Sequence, residues 1–179
     1  RFFSHNVIAL GRMKNVGLLS KKDAISYAVT GPAGRASGWS CDVRKYNPYA
    51  LYDKVEFREI IRTEGDSYAR YLNRLDEIEE SLHIIEQLIE NIPEGEHCAK
   101  TKAIIKLSEG EYYQGVEAGK GLFGVYIESR GEKTPYRMKF RSPSMALVSV
   151  MPLICKDEKI SDFIGIGGSM DYVIPDIDR

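Results

Sequence analysis

From Tyr68 to Ile92 the apolar positions return every three or four residues: Tyr68, Tyr71, Leu75, Ile78, Leu82, Ile85, Ile89 and Ile92. That period predicts an amphipathic helix of about seven turns with one apolar stripe. Asp66 stands in its first turn, where a carboxylate suits the helix dipole. Pro93 and Gly95 end it. Arg70, Asn73, Arg74, Asp76, Glu77, Glu80 and Glu86 fall on the opposite face. The stripe is expected to pack inward, or against a partner surface, as one wall of a helix bundle.

The period changes after residue 112. Tyr113–Ala118, Gly121–Ser129 and Tyr136–Arg141 are rich in Val, Tyr, Phe and Ile and predict three strands. The last two are joined by a turn at Arg130-Gly131-Glu132-Lys133. Ser20, with Asp23 three residues on, predicts an N-cap and a short helix to Tyr27 or Ala28. Two short apolar helices are expected near 144–154 and 159–167. Segment 1–19 is mixed and Gly-punctuated, Thr30–Pro48 is rich in Gly, Ser and Pro, and the residues from Gly168 onward form a tail. Thr30–Pro48 is expected to be a loop and the tail irregular, and a long loop inside a compact domain is usually functional. The fold class is α+β: mainly helical, with one long helix and a small antiparallel sheet. Residues 1–179 are taken as one domain, since that length supports one real core and not two.

Composition narrows the function more than it names it. A net charge of −1 offers no basic footprint for nucleic acid. No apolar run approaches a membrane span; Met145–Cys155, the best candidate, contains Pro152 and stops at Lys156. Cys41, Cys98 and Cys155 form no CxxC pair, which argues for reduced cysteines facing the cytosol and against a structural zinc or disulfide framework. Gly115, Gly119 and Lys120 fall short of a phosphate loop, and Gly165-Ile166-Gly167-Gly168 short of a dinucleotide turn. His83, beside the apolar stripe, is expected to be partly buried and not a ligand. No metal site is expected.

Two stretches hold more special polar residues than packing requires. In the first, Gly31-Pro32-Ala33-Gly34-Arg35-Ala36-Ser37-Gly38 is followed by Asp42, Arg44 and Lys45. Small residues there can hold an arginine fork in place. The expectation is one ion-pair cluster of Arg35, Asp42 and Arg44 that pins the loop. The second stretch is the tail, with Asp171, Asp176, Asp178 and Arg179.

Together they resemble a known family. Gly31-Pro32-x-x-Arg35-Ala36-Ser37-Gly38, then Asp42, Arg44-Lys45 and Pro48-Tyr49, resembles the central signature of the D-type subunit of respiratory complex I. Gly65-Asp66-x-Tyr68-x-Arg70-Tyr71, Glu117-Ala118-Gly119-Lys120-Gly121-x-Phe123-Gly124 and Pro135-Tyr136-Arg137-x-Lys139-x-Arg141-x-Pro143 are similar to it too. So are Gly168-Ser169-x-Asp171-x-Val173 and the closing Ile177-Asp178-Arg179. Tyr172 and Pro175 depart from the family's usual Pro and Gly, and Ser144-Met145 from its Gly-Phe.

The resemblance implies a fold like that of the nickel–iron hydrogenase large subunit, here as the C-terminal part of a longer subunit with a truncated bundle. It implies a chain that lines the quinone site of an NADH:quinone oxidoreductase and binds no cofactor itself. The quinone and a neighbouring subunit's iron–sulfur cluster would lie alongside. Partners would be other complex I subunits, the iron–sulfur subunit and the membrane quinone-site subunit among them, on the cytoplasmic side of the inner or cytoplasmic membrane. The headgroup-binding His and Tyr of the family lie in its N-terminal half, so no catalytic residue is expected here. Asp171, Val173, Asp176 and Arg179 would wall the quinone pocket; Arg35, Ser37, Asp42 and Arg44 would be structural or interface residues. The alternatives are a membrane-bound nickel–iron hydrogenase large subunit and a non-catalytic scaffold. A hydrogenase places two cysteines where Val173 and Asp176 stand, and valine cannot supply a thiolate ligand.

Overall fold

The computed structural model describes residues 3–100 and 104–178. Among them a 3-10 turn (Phe3–His5) is followed by α1 (Val7–Met13), α2 (Lys21–Ser26), α3 (Gly31–Arg35), α4 (Val43–Tyr46) and α5 (Ser67–Ile89). Strands β1 (Gly110–Ala118), β2 (Gly121–Ser129) and β3 (Arg137–Arg141) come next, then α6 (Pro143–Ser149), α7 (Met151–Ile154), α8 (Ile160–Met170) and α9 (Ile174–Ile177). The class is α+β, as the patterning predicts.

Helix α5 starts where the sequence places it. Asp66 is its N-cap, and one carboxylate oxygen accepts the Ala69 N–H at 2.7 Å. The other accepts the Asn15 N–H at 2.8 Å, so the cap also ties down the N-terminal segment. Such a cap contributes about 1 kcal/mol. Ser20 caps α2 in the same way, accepting from the Asp23 N–H at 3.1 Å.

The three strands form an antiparallel meander, β1-β2-β3, with Gly115 opposite Gly124 and Tyr126 opposite Lys139. The core lies beside the sheet: Leu19, Ala24, Val29 and Ala33 pack with Leu147, Val150, Met151, Ile154, Ile166 and Met170. It joins α2 and α3 to α6, α7 and α8, and each fully buried Leu, Ile or Met side chain stabilises it by roughly 1.5–3 kcal/mol.

The first nineteen residues, the segment expected to be a loop and the tail expected to be irregular are all partly helical. Asn6 caps α1, its side chain accepting from the Ile8 and Ala9 N–H groups. Thr30–Pro48 contains α3 and α4; Pro32 opens α3, where its missing N–H costs nothing. The tail contains the last turn of α8 and all of α9.

The largest departure concerns the faces of α5. Its buried residues are Ser67, Ala69, Arg70, Asn73, Glu80 and Ile84. Leu75, Ile78, Leu82, Ile85 and Ile89 are exposed. The apolar stripe therefore does not pack inward within this chain; the polar face does. That inversion is tolerated because the buried polar groups find partners, Arg70 in the Gly17 and Gly65 carbonyls, Ser67 in the Val16 carbonyl, Asn73 in Glu77 and Glu80 in Arg58. His83 is also exposed, not partly buried.

Candidate functional site

Arg35 is the hub of the buried polar face. Its guanidinium is 2% exposed and donates to Glu77 of α5 at 2.8 Å and to Glu117 of β1 at 2.7 Å. Burial disfavours its charge, but Glu77 and Glu117 outweigh that and hold its pKa above the ordinary arginine value. Asn73 donates to the same Glu77 oxygen at 2.7 Å. Glu117 also accepts the Val43 N–H at 3.3 Å, which carries the network to the start of α4.

There Asp42 caps α4 and accepts a forked contact from Arg44, with Nη2 to Oδ2 at 2.7 Å and Nε to Oδ1 at 2.9 Å. Burial pushes the Asp42 carboxyl up, but Arg44, and Arg35 beyond it, hold it below the usual range. The expected single cluster is thus two linked pairs. Arg35 does not pair with Asp42; its carboxylates are Glu77 and Glu117, each far away in the chain. Ser37 donates to the Ala33 carbonyl at 3.1 Å and is buried, which makes it part of the turn itself. Glu59 completes the loop by accepting the Cys41 and Asp42 N–H groups at 2.7 and 2.9 Å.

Arg70, one turn before Arg74, is fully buried without a carboxylate. It donates to Gly17 and Gly65 carbonyls, both at 2.9 Å, and to Ser67 and Ser169 hydroxyls, both at 3.0 Å. Burial, with Arg74 near it, pushes its pKa down to about 10. It remains charged at neutral pH, knitting α5, α8 and the N-terminal segment together.

The tail meets this network at Asp171, the C-cap of α8, whose backbone is left-handed at φ +59°. Lys120, in the β1–β2 turn, donates to its carboxylate at 2.6 Å, and Arg74 Nε lies 3.7 Å away. Arg74 donates to the Arg70 and Met170 carbonyls at 3.1 and 3.3 Å, while its Nε is buried with no hydrogen-bond partner. Arg74 and Asp171 stand in the wall of a cleft of about 750 Å³ between α1, α5 and α8. Ile8, Ala9, Met13 and Gly165 make its surface largely apolar. A cleft of this size and character suits a flat or chain-like organic molecule with few polar atoms.

The other tail residues behave differently. Val173 is half exposed, and its N–H is donated to the Ser144 hydroxyl at 3.2 Å. Asp176 accepts from Ser142 and lines a smaller depression beside Phe140 and Arg141. Arg179 lies outside the described residues. So Asp171 alone of the four expected wall residues lines the large cleft among the described residues. The residues that sequence reasoning missed are Glu77, Glu117, Arg74 and Lys120. Glu117 and Lys120 stand in a stretch that carried the resemblance, which is the signal that could have found them. Among the described residues no three His, Cys, Asp or Glu side chains converge in a way that could hold a metal.

The comparisons cover the whole chain. Residues 1–107 and 96–179 match the family described as respiratory-chain NADH dehydrogenase, 49 Kd subunit. The chain is 60% identical over 177 residues to the C/D-type subunit of NADH-quinone oxidoreductase from Phocaeicola vulgatus, covering 99% of this chain and 34% of the relative. It is 44% identical to the D-type subunit of NADH-quinone oxidoreductase from Desulfotalea psychrophila, covering 98% of this chain and 48% of the relative. The chain therefore spans about a third to a half of the curated relatives it matches. Among solved structures, a chain of the membrane-bound sulfane sulfur reductase, an archaeal respiratory membrane complex, superposes with a TM-score of 0.90 at 39% identity, over 98% of this chain and 49% of that one. With matches spanning both halves and relatives well above the level of chance, this chain belongs to the family of the respiratory-chain NADH dehydrogenase 49 Kd subunit.

Proposed function

We propose that this chain is the C-terminal part of a quinone-site subunit of a respiratory NADH:quinone oxidoreductase, acting as one domain of the hydrogenase large-subunit type. The observation that carries the reading is the 60% identity, across 99% of the chain, with a subunit of that enzyme. The apolar cleft supports it, since a quinone is a flat, weakly polar ring on an apolar chain. Asp171 and Arg74 supply the charged part of its wall.

In this role the chain orients and excludes, and others do the redox chemistry. The electrons and protons taken up by the quinone would come from outside this chain, the electrons from an iron–sulfur cluster held by a neighbouring subunit. Arg74, a cation in the cleft wall, would favour the added negative charge of a reduced quinone over the neutral form. The headgroup-binding residues belong to the remainder of the subunit. The partners are the iron–sulfur and membrane quinone-site subunits. A peripheral place on the cytoplasmic side of the membrane belongs to the same reading; among the described residues no helix is long and apolar enough to cross a membrane.

A second reading rests on the 0.90 superposition: the same fold in a respiratory complex that reduces sulfane sulfur. Assay of the purified whole complex separates the two. NADH oxidation that depends on a short-chain quinone supports the first reading; indifference to quinone with turnover on polysulfide overturns it. The hydrogenase alternative is not favoured, because Val173 replaces a required thiolate.

A further inference from the structure

We propose that Lys120 is a positioning residue: it holds Asp171, and through it the tail, from a hairpin turn that is itself locked to the Gly-rich segment. The inference rests on the reading that the tail walls an acceptor site, and adds to it the part that sets the wall's position.

The turn between β1 and β2 is held on three sides. Glu117, just before it, pairs with buried Arg35 at 2.7 Å. Leu122, just after it, gives its N–H to the Thr30 hydroxyl at 3.0 Å, and Arg141 of β3 donates to the same hydroxyl at 3.1 Å. Between them the backbones touch. A Cβ added at Gly31 would lie 2.5 Å from Gly121 Cα, and one added at Gly121 would lie 2.6 Å from Thr30 Oγ1. Gly31 and Gly121 also have φ of +73° and +127°, which bulky residues resist. The turn cannot slide without moving α3.

From this fixed base Lys120 reaches across to Asp171 at 2.6 Å, and Arg74 stands 3.7 Å from the same carboxylate oxygen. Asp171 sits in a left-handed conformation that strains a non-glycine residue and persists only where its surroundings enforce it. Helix α8 ends there and the chain turns toward Val173 and α9. A charge-assisted contact at that hinge fixes the direction in which the tail leaves the helix. Three stretches distant in sequence (30–35, 117–122 and 171–173) thus form one mechanical line from the Gly-rich segment to the cleft wall.

The test uses the assembled complex with the full-length subunit, and reads hydrogen exchange of the Val173 and Asp176 amides alongside quinone kinetics. Lys120→Gln is expected to speed exchange of those amides about threefold to fivefold, the size of one lost half-exposed charged contact. Lys120→Arg keeps the charge and is expected to restore protection. Asp171→Asn removes the ion pair from the other side while tolerating the left-handed backbone, and is expected to match Lys120→Gln. Wild-type exchange in both Lys120→Gln and Asp171→Asn overturns the proposal. Faster exchange accompanied by a higher quinone KM, with kcat little changed, supports both the positioning role and the quinone reading. Faster exchange with unaltered quinone kinetics supports the positioning role and removes the tail from the quinone wall.

Discussion

Two ionic groups share helix α5 and do different work. The inner group, Arg35 with Glu77 and Glu117, is largely shielded from solvent, with Arg35 at 2% exposure and the Glu117 and Glu77 side chains at 4% and 19%. The outer group, Lys120 and Arg74 around Asp171, is a quarter to nearly half exposed and stands beside a cleft. Buried charges that satisfy one another rigidify a fold and are costly to disturb. Half-exposed charges contribute little to stability, because water screens them. The inner group is therefore the frame, and the outer group is free to be shaped by function.

The comparison breaks most visibly at the frame. Arg35→Met strands the buried Glu117 carboxylate and leaves the partly exposed Glu77 with Asn73 alone, and is expected to destabilise the protein by about 3–5 kcal/mol, read as the shift in a urea midpoint. Arg70→Met should cost about 3 kcal/mol, since the Gly17 carbonyl and the Ser67 and Ser169 hydroxyls lose their guanidinium donor in a dry site, while the Gly65 carbonyl keeps the Leu19 N–H. Asp42→Ala should cost about 2–3 kcal/mol, leaving Arg44 unpaired and α4 without its cap. Asp53→Ala, on an exposed stretch, should stay within about 0.5 kcal/mol. Equal melting temperatures for the Asp42 and Asp53 variants would show the Asp42–Arg44 pair to be solvated.

Acidity sharpens the same contrast. Because Arg44 holds the Asp42 carboxyl below its ordinary value, Asp42 binds its proton more weakly folded than unfolded. Its contribution is fully present above the unfolded carboxyl range, near about pH 4. It is lost as pH falls through the lower folded value. Asp42→Asn should flatten the acid limb of the stability profile; a limb as steep as wild type would contradict the assignment. The smallest expected effect is on the stability of Asp171→Asn, below about 1 kcal/mol and shrinking with added salt.

How legible this was in the sequence follows from the same physics. Helix α5, the Ser20 cap of α2 and the three strands were readable because period and cap are local signals, whereas Asp66, expected inside the first turn, is the cap before it. The faces of α5 were not. A hydrophobic stripe is ordinarily the buried one, yet here the chain buries Arg70, Asn73 and Glu80 and leaves Leu75, Ile78 and Leu82 exposed. Nothing in the spacing says that Arg35, Glu77 and Glu117 would meet, because salt-bridge partners 42 and 82 residues away leave no local pattern. The expectation that Arg35 would choose Asp42 followed proximity in sequence, and Arg44 was simply nearer. The short helices α1, α4 and α9 were hidden because seven or fewer residues show no usable period. Asp171 was found by resemblance; its holders, Lys120 and Arg74, needed the fold.

The central claim is that Asp171 belongs to the wall of a quinone site and not to the frame. The direct measurement is NADH:quinone reductase activity of the assembled complex carrying Asp171→Asn, divided by its NADH oxidation with an artificial acceptor that takes electrons upstream. At quinone concentrations below KM the account predicts a ratio reduced about tenfold, as expected for one lost charged contact in a site, with the complex's melting temperature little changed. A ratio equal to that of wild type at equal assembly would contradict it.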